Sequence, residues 1–135
     1  MTLLLKHYKW FCGCLLMFND AAGFDRVFIA CGYTDLRYGI DGLSTIVQNT
    51  FHLNPFSSGT LFLFCGRKSD RIKGLLWEED GFLLLYKRLE KSRFQWPRTP
   101  EQVQEMTPQQ FRWLMEGLSI NQKKAVQKAR PKRTA

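Results

Sequence analysis

Three apolar runs within residues 60–90 constrain the fold more than any other feature of the chain. They read TLFLFC, RIKGLLW and FLLLYKRLE, and the polar segments GRKSD and EEDG separate them. Short apolar runs bounded by polar turns are typical of strands. Asp80 and Gly81 both tolerate the positive φ that a type I′ turn requires, so this pair predicts a tight hairpin. The region is therefore predicted to form a three-stranded antiparallel meander.

Both faces of the last predicted strand are apolar. Alternate side chains of a strand share a face. One face carries Phe82, Leu84 and Tyr86, and the other carries Leu83, Leu85 and Leu89. A sheet that is apolar on both sides needs a cover on both sides. We expect the first helix to cover one face, and the C-terminal helix or a second subunit to cover the other.

The chain before the meander predicts a strand followed by an amphipathic helix. Residues 26–31, RVFIAC, are rich in β-branched and aromatic residues and end at Gly32. Gly42 weakens the following helix by about 1 kcal/mol relative to alanine, so we expect the helix to depend on packing against the sheet. Its apolar residues recur at helical spacing and are Ile40, Leu43, Ile46, Val47 and Phe51.

Two segments after the meander carry signals of a helix N-terminus. In TPQQ, residues 107–110, the threonine can cap the helix and the second glutamine can bond back to it. The segment TPEQ, residues 99–102, repeats the arrangement and predicts a second start. Gly117 is the predicted stop of the C-terminal helix. Its predicted core-facing stripe is Phe111, Leu114, Met115 and Leu118.

The sequence thus predicts one α+β domain, a small antiparallel meander packed with one or two amphipathic helices, at residues 17–120. The chain has 135 residues and a formal net charge of +8. Residues 1–120 contain 14 Lys and Arg against 12 Asp and Glu, whereas residues 121–135 contain six basic residues and no acidic one. Such a tail is typically disordered and favours polyanions, above all nucleic acid. A purely solubilising tail is the alternative.

Cysteine usage does not predict a metal site. Cys12 and Cys14 form a C-x-C pair, and Cys31 and Cys65 stand alone in apolar runs. A structural zinc site needs four closely spaced ligands, so we expect buried thiols in a reducing compartment, with neither metal nor cofactor.

The leader, residues 1–16, begins with a short apolar segment. Within the first eighteen residues, the apolar run from Trp10 to Phe18 is about half as long as a membrane span, and Asn19 and Asp20 form a poor signal-peptide cleavage site. We therefore expect a cytoplasmic protein.

Catalytic patterns are weak. The candidate carboxylates for a divalent metal are Asp35, Asp41, Asp70, Glu78, Glu79 and Asp80. Most of them have structural explanations, in turns or near the start of a helix. Serine or cysteine chemistry needs a nearby base, and the histidines are only His7 and His52. We predict no catalytic residue, and keep a metal-dependent nuclease built on Asp35, Asp41 and Asp70 as the minority hypothesis.

A run of basic residues interleaved with aromatic ones is the best candidate site. If strand ends bring these residues together, they form a positive surface with rings for stacking on bases. Nearby acids favour the alternative of solvated hairpin ends with local ion pairs; they are Asp70, Glu78, Glu79, Asp80 and Glu90. The candidate nucleic-acid-binding residues are Arg67, Lys68, Arg71, Lys73, Lys87, Arg88, Lys91, Arg93, Trp96 and Arg98.

Three long stretches carry a family resemblance. They are VFIACGYTDLRYGIDGLSTIV, FLFCGRKSDRIKGLLWEEDGFLLLYKRLE and SRFQWP. The chain resembles, over about residues 17–118, the TnpB accessory proteins of the insertion-sequence family numbered sixty-six. Members of that family usually begin near Met17, so we expect residues 1–16 to come from an upstream start. The matching motif positions are Thr34, Asp35, Arg37, Gly39, Asp41, Gly42, Arg71, Lys73, Gly81, Lys87, Arg88, Glu90, Phe94, Trp96 and Pro97.

The resemblance implies an accessory protein of DNA transposition in bacteria, which works beside a separate transposase that carries the catalytic triad. The family has no established catalytic residues to carry over. Our leading hypothesis is binding to DNA at the element ends through Arg71, Lys73, Lys87, Arg88 and the tail, or docking on the transposase through exposed aromatics such as Trp96. The alternative is a protein adaptor that never touches DNA. The sequence leaves the oligomeric state open.

Overall fold

The computed structural model describes residues 23–129 and 131 of the chain. Its centre is a five-stranded sheet in the order β4-β3-β2-β1-β5. The strands are β1 (Arg26–Ala30), β2 (Thr60–Cys65), β3 (Arg71–Trp77), β4 (Phe82–Arg88) and β5 (Val103–Met106). Strands β1 and β2 pair in parallel, and the other neighbours pair antiparallel. The predicted strand at residues 26–31 and the predicted meander, β2-β3-β4, are confirmed.

The hairpin between β3 and β4 differs from the predicted turn type. Trp77 pairs with Phe82, so four residues form the loop. Positive φ falls on Glu79, at 70°, and on neither Asp80 nor Gly81. The expected type I′ turn is therefore wrong. The loop closes instead through the Glu78 N–H, which donates to the Gly81 carbonyl at 2.9 Å, because the register of β3 and β4 leaves room for a longer connection.

The first helix covers one face of the sheet. Helix α1 (Ile40–Thr45) continues into a π-helical turn (Ile46–Thr50) and connects the parallel strands β1 and β2. Parallel neighbours need such a crossover, because a hairpin can join only antiparallel strands. Leu43 and Val47 are fully buried, against Phe62 and Phe64 of β2 among others. The predicted amphipathic helix is confirmed, and its dependence on packing is consistent with its short length.

The C-terminal helix covers the other face. Helix α2 (Pro108–Met115) has the predicted capping box: Thr107 accepts from the Gln110 N–H at 3.1 Å, and Gln110 accepts from the Thr107 N–H at 3.0 Å. Phe111, Leu114 and Met115 are buried, in a core shared with Val27 and Ile29 of β1, among others.

The same helix ends before Leu118. Gly117 has a φ of 83°, and the Leu118 N–H donates to the Trp113 carbonyl at 2.8 Å, which closes a Schellman motif. The predicted stop at Gly117 is confirmed. The placement of Leu118 in the core stripe is wrong, because the helix has ended and this side chain is exposed.

The segment at residues 99–102 does not begin a helix. It leads into β5, which pairs antiparallel with β1 from Val103 opposite Ala30 to Met106 opposite Val27. The helix-cap signal depends only on neighbouring residues. Pairing with β1 instead gives hydrogen-bond partners to the backbone groups at the edge of β1 and buries Met106, so these tertiary contacts override the cap signal. An ion pair of 2.6 Å between Arg26 and Glu105 also joins the two strands.

The C-terminal segment is exposed throughout its described part. Residues 121–129 form no helix or strand. In the described residues, no helix has the length and apolar character needed to span a bilayer. The leader, Cys12 and Cys14 lie outside the described residues.

Candidate nucleic-acid interface

Three loops meet at one end of the sheet, where the parallel strands β1 and β2 finish. These loops are residues 31–39, 66–70 and 89–98. The Thr34 N–H donates to the Cys65 carbonyl at 2.9 Å, and the Gly32 N–H donates to the Pro97 carbonyl at 2.9 Å. The Phe94 N–H donates to the Ser69 carbonyl at 2.7 Å. Each loop is thereby bonded to another one or to a strand end, so the backbone fixes their relative positions.

Most of the predicted binding residues come together on these loops and the adjoining strand ends. We call this region the basic end. The sequence-predicted members that it contains are Arg67, Lys68, Arg71, Lys73, Arg88, Lys91, Arg93 and Arg98. Strand direction explains the convergence, because β3 begins and β4 finishes at the end where β1 and β2 finish.

The same strand direction moves three of the nearby acids, which the sequence places among the basic residues, away from the basic end. Glu78, Glu79 and Asp80 lie in the β3-β4 hairpin, which we call the acidic end. Strand β3 has seven residues, and at about 3.3 Å per residue it separates the two ends by roughly 20 Å. That separation is about two and a half Debye lengths at physiological ionic strength, so salt screens the acidic end from the basic one and the acids there barely weaken its positive potential.

Three acids of these loops are each paired with an arginine, and a fourth acid, Glu101, lies against Gly32 of the first loop. Asp35 contacts Arg37 at 2.7 Å, Asp70 contacts Arg71 at 3.0 Å, and Glu90 contacts Arg88 at 3.0 Å. In the described part of the chain, Arg67, Lys68 and Lys73 form no salt bridge, although the charges of Lys68 and Lys73 still act on the carboxylates of Asp70 and Asp35. Of these three, Arg67 and Lys68 are also exposed.

Arg98 has a mainly structural position. Its guanidinium donates to the Gly32 carbonyl at 2.8 Å and to Ser69 Oγ at 3.0 Å, and it stacks over the Tyr33 ring at 4.2 Å. Arg67 lies over the same ring at 5.8 Å. Arg98 therefore ties two loops together and holds Tyr33 in place beside Arg67.

The exposed aromatic residues of the basic end are not the one that the sequence predicts. Trp96 is only 6% exposed, and its Nε1 donates to the Ala30 carbonyl at 3.0 Å. The expectation that Trp96 is an exposed anchor is therefore wrong, because its ring packs in the core on the α2 side of the sheet. The exposed rings of the basic end are Tyr33, Tyr38 and Tyr86, at 58%, 47% and 53%.

Lys87 also departs from the predicted grouping. It pairs with Ile72, whose side chain lies in the core on the α2 side, whereas Lys73 pairs with Tyr86 on the α1 side. Burial lowers the pKa of Lys87. Lys87 therefore projects from the other face of the sheet than Lys73.

Arg37 and the three tyrosines also lie at the basic end, although the charge pattern did not point to them. Arg37 is exposed and follows β1 in the TDLR motif. Its guanidinium and its N–H both donate to Asp35, which lowers the pKa of that carboxyl to about 2. A signal existed, since residues that follow parallel strands gather at one edge of a sheet, but using it required knowing that β1 and β2 are parallel.

The candidate carboxylates do not form a metal site in the part of the chain that the structure describes. No three His, Cys, Asp or Glu side chains there lie close enough to hold an ion. Asp41 lies in the first turn of α1, and its carbonyl accepts from Ser44 and Thr45. Cys31 and Cys65 are buried and free. Burial raises the pKa of Cys65 to about 11, so this thiol stays protonated.

Several motif residues have structural positions. Phe94 is buried beside Trp96, and the Pro97 carbonyl binds Gly32. A methyl group at Gly42 would lie 2.6 Å from the Tyr38 ring, so this glycine permits a close approach. The SRFQWP motif therefore anchors the loop that carries Arg93 and Arg98.

Fold and site together define the class as a small α+β domain with one strongly basic end. Comparison with known proteins then gives the family: the chain belongs to the IS66 Orf2-like protein family, whose model matches residues 25–125. This membership confirms the resemblance seen in the sequence.

The similar curated proteins carry no functional name. The chain is 38% identical to the uncharacterized protein y4hO of Sinorhizobium fredii (strain NBRC 101917 / NGR234), over 69% of this chain and 80% of the relative. It is 29% identical to the uncharacterized protein y4jC of the same organism, over 82% of this chain and 93% of the relative. No solved structure matches.

Proposed function

We propose that this protein assists transposition by binding DNA at the ends of its element through the basic end, beside a separate transposase. Membership of the IS66 Orf2-like family supports an accessory role in transposition. The observation that carries the DNA-binding part is the convergence of basic side chains at one end of the sheet, with the acidic hairpin at the other.

The chemistry of the basic end suits a polyanion. Each Lys or Arg that neutralises a phosphate releases a counterion, which favours binding. Tyr33, Tyr38 and Tyr86 add exposed rings for sugars or unpaired bases. We assign no catalytic step to this chain, since the carboxylates of Asp35 and Asp70 are engaged by arginines.

The test is binding of the full chain to a terminal-repeat duplex and to a scrambled duplex across a salt series. Arg67→Ala/Lys68→Ala removes two exposed charges from the basic end, and Lys123→Ala/Lys124→Ala removes two from the tail as the matched control. The association constant for DNA falls as the salt concentration rises. If both charges contact phosphates, this fall is less steep for the first variant, by about 1.8 in the slope of log K against log salt. The ratio of the wild-type association constant to that of the variant then falls about 12-fold when the salt concentration rises fourfold.

The outcome separates DNA recognition from non-specific attraction. We expect a preference for the terminal repeat, and we expect the Arg67/Lys68 variant to lose it while the Lys123/Lys124 variant keeps it. Equal binding to both duplexes that only the tail variant reduces would contradict DNA recognition by the basic end.

A second candidate function is a protein adaptor without DNA contact. An aromatic cluster beside the acidic end favours it: Phe56 lies 5.1 Å from Trp77 and 5.2 Å from Phe82, between ring centroids. Phe56 is exposed, and exposed aromatic side chains often anchor interfaces. Under this function, Phe56→Ala weakens binding to the purified transposase of the element, and Arg67→Ala/Lys68→Ala leaves it unchanged.

A further inference from the structure

In the part of the chain that the structure describes, strand β4 is an edge of the sheet, and its first five residues lack the usual protection. Native proteins blunt edge strands by shortness, charge or proline. Strand β5, at the opposite edge, has only four residues, VQEM, and Pro108 follows it closely. Strand β4 has seven residues, and the segment FLLLY at residues 82–86 contains no charge. Leu83 within it is 38% exposed.

The backbone of β4 is oriented for another strand to pair with it. The Leu89 N–H donates to the Asp70 carbonyl on the β3 side, at 2.6 Å. In an antiparallel pair, alternate residues direct their N–H and C=O groups to the same side. The residues of β4 that direct these groups away from β3 are therefore Phe82, Leu84, Tyr86 and Arg88.

The charges along this edge are complementary to those of a second copy. The acidic residues Glu78, Glu79 and Asp80 precede β4. The end of β4 and the residues after it carry Lys87, Arg88, Glu90 and Lys91, which keep a net positive charge although Glu90 pairs with Arg88. An antiparallel two-fold pairing places the acidic start of each strand beside the basic end of the other, so that both ends attract. Opposite charges on facing strands stabilise a pair, and like charges destabilise it.

We propose that two copies of this chain pair antiparallel through β4, with Leu85 on the two-fold axis, and join the two five-stranded sheets into one. In this register, Leu83 faces Lys87 of the other copy, and Phe82 faces Arg88. The outward backbone groups then bond across the axis, and no two like charges oppose each other within β4. Such an interface uses the same patch on both copies and closes as a dimer. It does not depend on the proposed DNA binding, but it sets the acidic end of one copy beside Arg88 and Lys91 of the other, so that in the dimer Arg67 and Lys68, on the loop between β2 and β3, carry the phosphate contacts.

Sedimentation equilibrium of the full chain tests the pairing through the charge at position 83. We expect a dimer for the wild type. Leu83→Lys places a like charge opposite Lys87 of the other copy, twice per dimer, and should give a monomer. Leu83→Glu places an opposite charge there and should keep the dimer. The double variant Leu83→Lys/Lys87→Glu should restore the dimer. Circular dichroism checks that each variant folds.

Disulfide formation tests the register directly, in a background in which Cys12 and Cys14 are serine. Residues on the axis form a non-hydrogen-bonded pair with Cα atoms about 4.5 Å apart, within the range that a disulfide spans. Leu85→Cys should therefore crosslink two copies, and Tyr86→Cys should not. A wild-type monomer at about 100 μM, equal behaviour of the two Leu83 variants, or crosslinking through Tyr86→Cys alone would overturn the proposal.

Discussion

Replacing Trp96 by alanine should destabilise the fold strongly, because this ring is part of the core. The side chain is 6% exposed, and its Nε1 donates to the Ala30 carbonyl at 3.0 Å. Truncation of a buried Trp to Ala typically costs about 3–5 kcal/mol through lost burial and the cavity left behind. Since a domain of this size has about 5–15 kcal/mol of stability, the loss is a large fraction of the total.

The assay is urea denaturation of wild type, Trp96→Ala and Trp96→Phe. The phenylalanine variant keeps an aromatic ring and loses the hydrogen bond to the Ala30 carbonyl, so its cost should be about 1–3 kcal/mol. The midpoints should fall in the order wild type, Phe, Ala, at similar slopes. Trp113→Ala, at a half-buried position of α2, is the control and should cost less than Trp96→Ala.

A contrary result would restore Trp96 as a surface anchor. If Trp96→Ala changed the free energy of unfolding by less than about 1 kcal/mol and abolished binding to DNA or transposase, the burial argument would fail.

Three smaller perturbations test other parts of the structure. Thr107→Ala removes the capping box with Gln110 and should cost about 1 kcal/mol in thermal unfolding; no change would contradict the cap. The pKa of Asp35 in the folded protein is about 2, below the ordinary 3.8, so its contribution to stability is present above pH 3.8 and is lost as the pH falls toward 2. Asp35→Asn should therefore make the free energy of unfolding less dependent on pH in this range. An unchanged pH dependence would mean that the pair of Asp35 and Arg37 does not stabilise the fold. Burial holds the pKa of Cys65 at about 11, so this thiol should react with iodoacetamide at pH 8 only after unfolding, as mapped by mass spectrometry.

Local signals predicted the elements whose stabilisation is itself local. The three runs of the meander became β2, β3 and β4, and the Thr107 cap starts α2 as expected. These features depend on residues a few positions apart, so the sequence displays them directly. The turn at Asp80 and Gly81 was predicted at the right place with the wrong geometry, since the register of two strands decides the loop length.

The features that sequence reasoning missed depend on pairing between distant residues. Residues 99–102, which resemble a helix cap, lead instead into β5, because β5 pairs with β1, which lies 70 or more residues earlier in the chain. Trp96 reads as an exposed anchor in a charged stretch, yet a bond to the Ala30 carbonyl places it in the core. The loop at residues 31–39, with Arg37, Tyr33 and Tyr38, was not predicted at the basic end, since its placement requires the parallel pairing of β1 and β2.

The direction of the strands also decides how the two positive regions relate. Strand β5 begins at the basic end and runs away from it, and the Gln110 side chain, in the first turn of α2, donates to the Ile120 carbonyl at 3.2 Å. The tail thus leaves the domain at the end opposite the basic end. Its described residues 121–129 are exposed and form no helix or strand. Under the proposed function, the tail should therefore add affinity for DNA without sequence preference, whereas the three loops of the basic end, which hydrogen bonds hold in fixed positions, should carry the preference.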